Sequence, residues 1–111
     1  MSDYANMSAT VHVPADSPWF IGHFPGNPVY PGIAQLGLVF DLLQKHADTP
    51  LKLVDISRVR FKQMVVPEDR LRVEASPKQH QRGVFTFRIL KADMVMTSGV
   101  MTVAEASAEN K

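Results

Sequence analysis

The stretch that decides the fold reads GHFPGNPVYPGIAQLGLVFDLLQK and covers residues 22–45. Its first half is rich in proline and glycine, which is typical of an irregular loop. Its second half opens at Pro31, a residue suited to the first helical turn because the N–H it lacks would be unpaired there. Apolar residues then recur at three- and four-residue steps, at Ile33, Leu36, Phe40 and Leu43. The pattern predicts a loop followed by a long, mostly buried helix from Pro31 to about His46.

The segments on either side of this stretch read as strands. Val11 and Val13 alternate with polar residues, which indicates a short first strand. After Pro50, four hairpin-linked strands are predicted at Leu51 to Met64, Arg70 to Ser76, Gly83 to Leu90 and Val95 to Ala104. In the middle two of these four strands apolar and polar residues alternate clearly, so each strand should have one solvent-exposed face. The sequence thus predicts an α+β fold in which an antiparallel sheet of about five strands wraps around one long buried helix.

Length and composition limit the number of domains and the kinds of partner. The 111 residues suffice for a single domain, with a core at about 10–104, a flexible N-terminus at 1–8 and a tail at 105–111. Twelve basic and eleven acidic side chains give a net charge of +1, which disfavours binding to nucleic acid through overall charge. The chain has no cysteine, which excludes disulfides and thiolate metal sites.

The expected compartment and assembly follow from weaker signals. No apolar run is long enough to span a membrane, and Met1 to Ser8 lack the features of a signal peptide. We therefore expect a cytoplasmic protein. A domain of this size buries only roughly 60–70% of its unfolded surface, so a further interface would help its stability. That mildly favours an oligomer.

The segment from Gly22 to Gly32 closely resembles the active-site signature of the bacterial 3-hydroxyacyl-acyl-carrier-protein dehydratases, a family with the hotdog fold. The likeness continues at Arg60-Phe61-Lys62 and at Val65 to Leu71. It implies an enzyme, a lyase that removes water from a (3R)-3-hydroxyacyl chain and leaves the trans-2-enoyl thioester. The resemblance further implies a substrate carried on the phosphopantetheine of an acyl carrier protein, no cofactor or metal, and a homodimer or dimer-based oligomer with its active site between subunits.

The resemblance also implies the roles of individual residues. It makes His23 the base, and a neutral imidazole can take a proton from the carbon next to the thioester carbonyl near neutral pH. The backbone N–H of Gly32, at the start of the helix, is implied as the donor to the charged thioester oxygen. The residues expected to bind the substrate or the oxyanion are Phe24, Val29, Pro31, Gly32 and Gly37.

One position departs from the family pattern. The family carries a helix Glu or Asp fourteen residues after the histidine, and here that residue is Gly37. Asp41, one helical turn further on, is a possible substitute acid on the same face. Alternatively, His23 carries the proton to the leaving oxygen by itself, or the domain binds acyl thioesters without dehydrating them. A thioesterase, with Asp41 activating water, is a further alternative.

Two other features have both structural and functional interpretations. A glycine inside a helix costs about 1 kcal/mol relative to alanine, so Gly37 suggests either close helix packing across a dimer interface or room for an acyl chain. Arg58, Arg60 and Lys62 are predicted to share one strand face. That face is either simply solvated or a docking patch for the acidic carrier protein.

Overall fold

The computed structural model describes residues 6–18 and 30–106. Its elements are, in chain order, β1 (Met7–His12), α1 (Gly32–Lys45), β2 (Leu51–Phe61), β3 (Arg70–Pro77), β4 (Val84–Lys91) and β5 (Met94–Glu105). The ends of α1, β3, β4 and β5 lie within one residue of the predicted ends, whereas β2 stops three residues before the predicted Met64. One helix and a five-stranded sheet confirm the α+β prediction.

The five strands form one antiparallel sheet in the order β1-β3-β4-β5-β2. The predicted hairpin between β2 and β3 is therefore wrong, because β2 pairs with β5 at the opposite edge of the sheet. Residues 62–69 instead form a crossover that leads from β2 to β3. The start of this crossover is held by the Lys62 N–H, which donates to the Met96 carbonyl at 2.8 Å. Alternation of apolar residues sets which face of a strand is buried, but it does not select the neighbouring strand.

The helix α1 lies with one side on the sheet. Its buried residues are Ala34, Gln35, Val39, Leu42 and Leu43. Ile33, which the apolar spacing placed on the buried stripe, is 66% exposed, so that part of the prediction is wrong for the single chain. The sheet covers only one side of the helix, and the side that carries Ile33 has no cover among the described residues. No helix within residues 6–18 and 30–106 is long and apolar enough to cross a membrane.

The core lies between α1 and the inner face of the sheet. The inward residues of β3 and β4 are Leu71, Val73, Ala75, Phe85, Phe87 and Ile89. Between them stand exposed or partly exposed residues such as Arg72, Glu74 and Arg88. On this outer face Glu74 pairs with Arg88 at 2.6 Å and with Arg72 at 2.8 Å. The prediction that each of these two strands has one solvent-exposed face is confirmed.

Two details of the edge strands differ from the expectations. β1 begins at Met7, which is buried and lies opposite Ala75, so residues 7 and 8 belong to the sheet rather than to a flexible terminus. In β2 the pairing register shifts between Ser57 and Arg60, and Arg58 has a φ of 56°. The strict alternation that would place Arg58 and Arg60 on one face is broken by this β-bulge.

Gly83 stands in the turn before β4 and cannot accept a side chain without strain. Its φ is +80°, and a Cβ added there would lie 2.4 Å from the Val103 carbonyl oxygen. Gly83→Ala is therefore expected to lower the free energy of unfolding by about 2 kcal/mol or more. Urea denaturation measures this loss, and Gly37→Ala is the control, since a Cβ at Gly37 meets nothing within 4 Å. Equal stability of the two variants would contradict the strain at Gly83.

Candidate active site at the start of the helix

Tyr30 and Pro31 fix the point at which the predicted loop enters α1. The Tyr30 N–H donates to the Val65 carbonyl at 2.7 Å and makes an isolated bridge to the crossover. Pro31 caps the helix in an extended conformation, with φ −69° and ψ 156°. Its carbonyl then accepts from the N–H groups of Ala34 and Gln35, each at 3.1 Å. The helix therefore begins where the proline predicted it.

Gly32 is the first residue of α1, so its N–H has no acceptor within the helix. The ring of Phe61 lies directly beside it, because a Cβ added at Gly32 would be 2.6 Å from the Phe61 Cζ atom. The ring of Phe61 can therefore pack at this position only because Gly32 has no side chain. The role of Phe61 was not predicted, although it stands within the Arg60-Phe61-Lys62 motif.

Gly37 faces an open apolar groove on the uncovered side of α1. The groove has a volume of about 460 Å³ and is lined mainly by apolar side chains of α1, β2 and β5, including Ile33, Leu36, Phe40, Leu53, Ile56 and Met101. A Cβ at Gly37 would meet nothing within 4 Å. The interpretation of Gly37 as room for an acyl chain fits this groove, while its packing against a second subunit stays a prediction.

Asp41 and Tyr30 line the same groove as Gly37. Burial, and secondly the nearby Asp41 carboxylate, raise the pKa of the Tyr30 hydroxyl, which therefore stays protonated at neutral pH. Asp41, the predicted substitute acid, thus lines the groove that Gly37 faces, and its role stays a prediction. Tyr30 was not among the predicted site residues.

His23, Phe24 and Val29 lie outside the described residues. The segments on either side of them are described, and both are bonded to the same crossover. On the N-terminal side the Val13 N–H donates to the Asp69 carbonyl at 2.9 Å, and the Glu68 N–H donates to the Val13 carbonyl at 2.8 Å. On the C-terminal side Tyr30 is bonded to Val65, as described above. Of the predicted site residues, Gly37 and Asp41 line one groove, whereas Pro31 and Gly32 stand at the helix start and are not among its lining residues.

Comparison with known proteins agrees with this architecture. The family model described as ApeI-like, ApeI dehydratase, matches residues 1–100. The chain belongs to the ApeI-like dehydratase family. Curated relatives support this membership, since a 3-hydroxyacyl-acyl-carrier-protein dehydratase FabZ from Geobacter metallireducens is 31% identical over 106 residues, covering 87% of this chain and 69% of that protein.

A second relative shares more of its sequence over a shorter stretch. The dehydratase FabZ from Chloroflexus aggregans is 42% identical over 79 residues, which cover 65% of this chain. This chain spans about half of that protein, since the match covers 55% of its length.

Solved structures show the same hotdog fold. The dehydratase heterocomplex ApeI:P from Xenorhabdus doucetiae contains a chain that superposes with a TM-score of 0.80 at 22% identity, over 91% of this chain and 88% of the other. A probable thioesterase from Bartonella henselae superposes with a TM-score of 0.72 at 15% identity, over 96% of this chain and 94% of that one. At these identities the likeness concerns the fold alone.

Proposed function

We propose that the chain is a dehydratase acting on (3R)-3-hydroxyacyl thioesters of an acyl carrier protein, in fatty-acid or specialised acyl-chain biosynthesis. The observation that carries the proposal is the position of the family signature, which runs directly into the Pro31 cap and the orphan N–H of Gly32. An apolar groove on the side of the helix that carries Gly37 offers a place for an acyl chain. Membership of the ApeI-like dehydratase family supports the reaction type.

In the proposed mechanism His23 removes a proton from the carbon next to the thioester carbonyl. Negative charge then develops on the thioester oxygen, and the Gly32 N–H together with the positive end of the helix dipole stabilises it. Collapse of the enolate expels the hydroxyl group from the third carbon as water once that oxygen is protonated. Phe24, Val29 and Pro31 contact the substrate around these groups. No cofactor or metal is required, because each step is a proton transfer or an elimination.

The proton for the leaving oxygen is assigned to Asp41 of the second subunit, whose helix would face His23 across the interface, and it passes either directly or through a bound water. The carboxylate lies in the groove one helical turn beyond Gly37. Asp41→Asn is therefore expected to lower kcat about ten-fold and to leave the thermal unfolding midpoint unchanged, since a substitute acid is less well placed than a dedicated one. The measurement is the steady-state rate of enoyl formation. Asp48→Asn, at an exposed carboxylate beyond the helix end, is the control, and an undiminished rate in Asp41→Asn would leave His23 to transfer the proton alone.

We expect the working unit to be a homodimer or a dimer-based oligomer that forms in the cytoplasm. β2 is an outer strand of the sheet, and its Leu53 and Val54 are 49% and 54% exposed, which suits pairing with a second chain. The Xenorhabdus relative was solved as a heterocomplex.

The experiment that tests the proposal supplies the pure protein with 3-hydroxyacyl and saturated acyl carrier-protein thioesters. Mass spectrometry then follows the enoyl thioester and the free thiol separately. The proposal predicts loss of water from the hydroxyacyl substrate with its thioester intact. Release of thiol would instead identify a thioesterase, the activity for which the Bartonella protein is named.

A non-catalytic binding module is the second candidate. The observation in its favour is Gly37, because the groove is formed while the family's acid is absent from it. Binding of both thioesters without any product would identify this function and contradict the dehydratase.

A further inference from the structure

A buried polar chain links α1 to the centre of the sheet. Gln35 is 3% exposed and Thr97 of β5 is fully buried. The Thr97 hydroxyl donates to the Gln35 side-chain oxygen at 2.5 Å, and the Gln35 side-chain N–H donates to the Tyr30 carbonyl at 3.2 Å. Burying such groups costs free energy unless they are hydrogen-bonded, and a network of this kind fixes one arrangement of its members. Neither side chain has a part in the mechanism proposed above.

Residue 35 holds two successive carbonyl groups at the helix entrance. Its side chain binds the Tyr30 carbonyl, and its backbone N–H binds the Pro31 carbonyl at 3.1 Å. The Pro31 carbonyl and the Gly32 N–H belong to the same planar trans peptide, so they point in opposite directions. Any rotation of the Pro31 carbonyl therefore turns the Gly32 N–H by the same angle.

We propose that Gln35 and Thr97 are positioning residues that aim the Gly32 N–H at the thioester oxygen without touching the substrate. The inference rests on the proposed function, because it assigns a task only to a site that stabilises an oxyanion. The Tyr30 N–H is already bonded to Val65, and Pro31 has a fixed φ. The side-chain amide of Gln35 adds a further restraint, because it donates to the Tyr30 carbonyl and so orients the peptide that joins Tyr30 to Pro31.

The first variant is Thr97→Val, which keeps the shape of the side chain and removes the hydroxyl that Gln35 accepts from. We expect kcat for enoyl formation to fall about ten- to hundred-fold, because a displaced oxyanion donor costs rate rather than ground-state binding. KM should stay within about two-fold for the same reason. Thr97→Ser restores the hydroxyl and should restore kcat to at least half of the wild-type value.

Thr102→Val is the matched control on the same strand, since Thr102 is only partly buried and lies outside the network. A second readout is hydrogen exchange at the Tyr30 and Gln35 amides, which are bonded to the Val65 and Pro31 carbonyls. Exchange at both amides should be faster in Thr97→Val than in Thr102→Val. Protection in β3 and β4 should be the same in both variants.

The outcomes separate the positioning role from the proposed function. An active wild type with unchanged kcat in Thr97→Val would overturn the positioning role alone. A uniform loss of protection, with kcat falling as the folded fraction falls, would also overturn it, because the network would then be merely structural. A folded wild type that forms no enoyl product would contradict the dehydratase and with it this inference.

Discussion

His23→Asn is expected to lower kcat for dehydration by about 10²-fold or more, which is the usual effect of removing a positioned general base. Asparagine keeps a polar side chain of similar reach but cannot take up a proton at neutral pH. The resemblance that names His23 covers eleven nearly contiguous positions, Gly22 to Gly32. The rate of enoyl formation under saturating substrate measures the effect.

His80→Asn is the matched control for this substitution. His80 lies exposed in the turn before β4 with a φ of 63°, a conformation that asparagine also tolerates. The control should keep wild-type kcat and stability. If His23→Asn dehydrates as fast as His80→Asn, the histidine of the signature takes no part in the chemistry.

Gly37→Glu is expected to raise kcat by about 10²-fold, the low end of what a positioned general acid supplies. A side chain there is free to enter the groove, because a Cβ meets nothing within 4 Å. Asp41 stands one turn further on the same face, and its charge would raise the pKa of the new carboxyl, which favours the protonated form that can donate. Removal of a helix glycine should also stabilise the fold by up to about 1 kcal/mol.

Gly37→Gln is the control, because it has the same size and helix propensity but no transferable proton. The comparison is the ratio of the two kcat values, with thermal unfolding measured in parallel. A ratio near one, in variants that remain folded, would mean that no proton donor is missing at this position. The acid would then come from Asp41, from His23 itself or from a partner chain.

The parts of the fold that local chemistry determines were predicted correctly. Pro31 marks the start of α1 because its ring fixes φ and its missing N–H costs nothing there. The inward residues of β3 and β4 follow from the two-residue period of a strand. These features depend on neighbours along the chain, so the sequence alone carries them.

The errors concern contacts between distant residues. The pairing of β2 with β5 and the bulge at Arg58 depend on how the strands assemble. The alternation of side chains within one strand contains no information about its neighbours. Ile33 fits the apolar spacing, yet the sheet covers only the opposite side of α1. The first strand was predicted too late, because the alternation was followed only from Thr10 although it extends back to Met7.

The candidate site was predicted in part. The signature indicated Pro31 and Gly32, the family's acid position indicated Gly37, and helical spacing indicated Asp41 on the same side of α1 as Gly37. No role was predicted for Gln35, because its partner Thr97 is 62 positions distant. A hydrogen bond over such a separation leaves no local pattern in the sequence.

The most direct test of the proposed activity runs the reaction backwards in water labelled with ¹⁸O. A trans-2-enoyl thioester of the carrier protein is incubated with the chain, and mass spectrometry locates the label. The account predicts ¹⁸O in the hydroxyl group on the third carbon of an intact thioester. Label found only in a released carboxylate, or in no product at all, would contradict it.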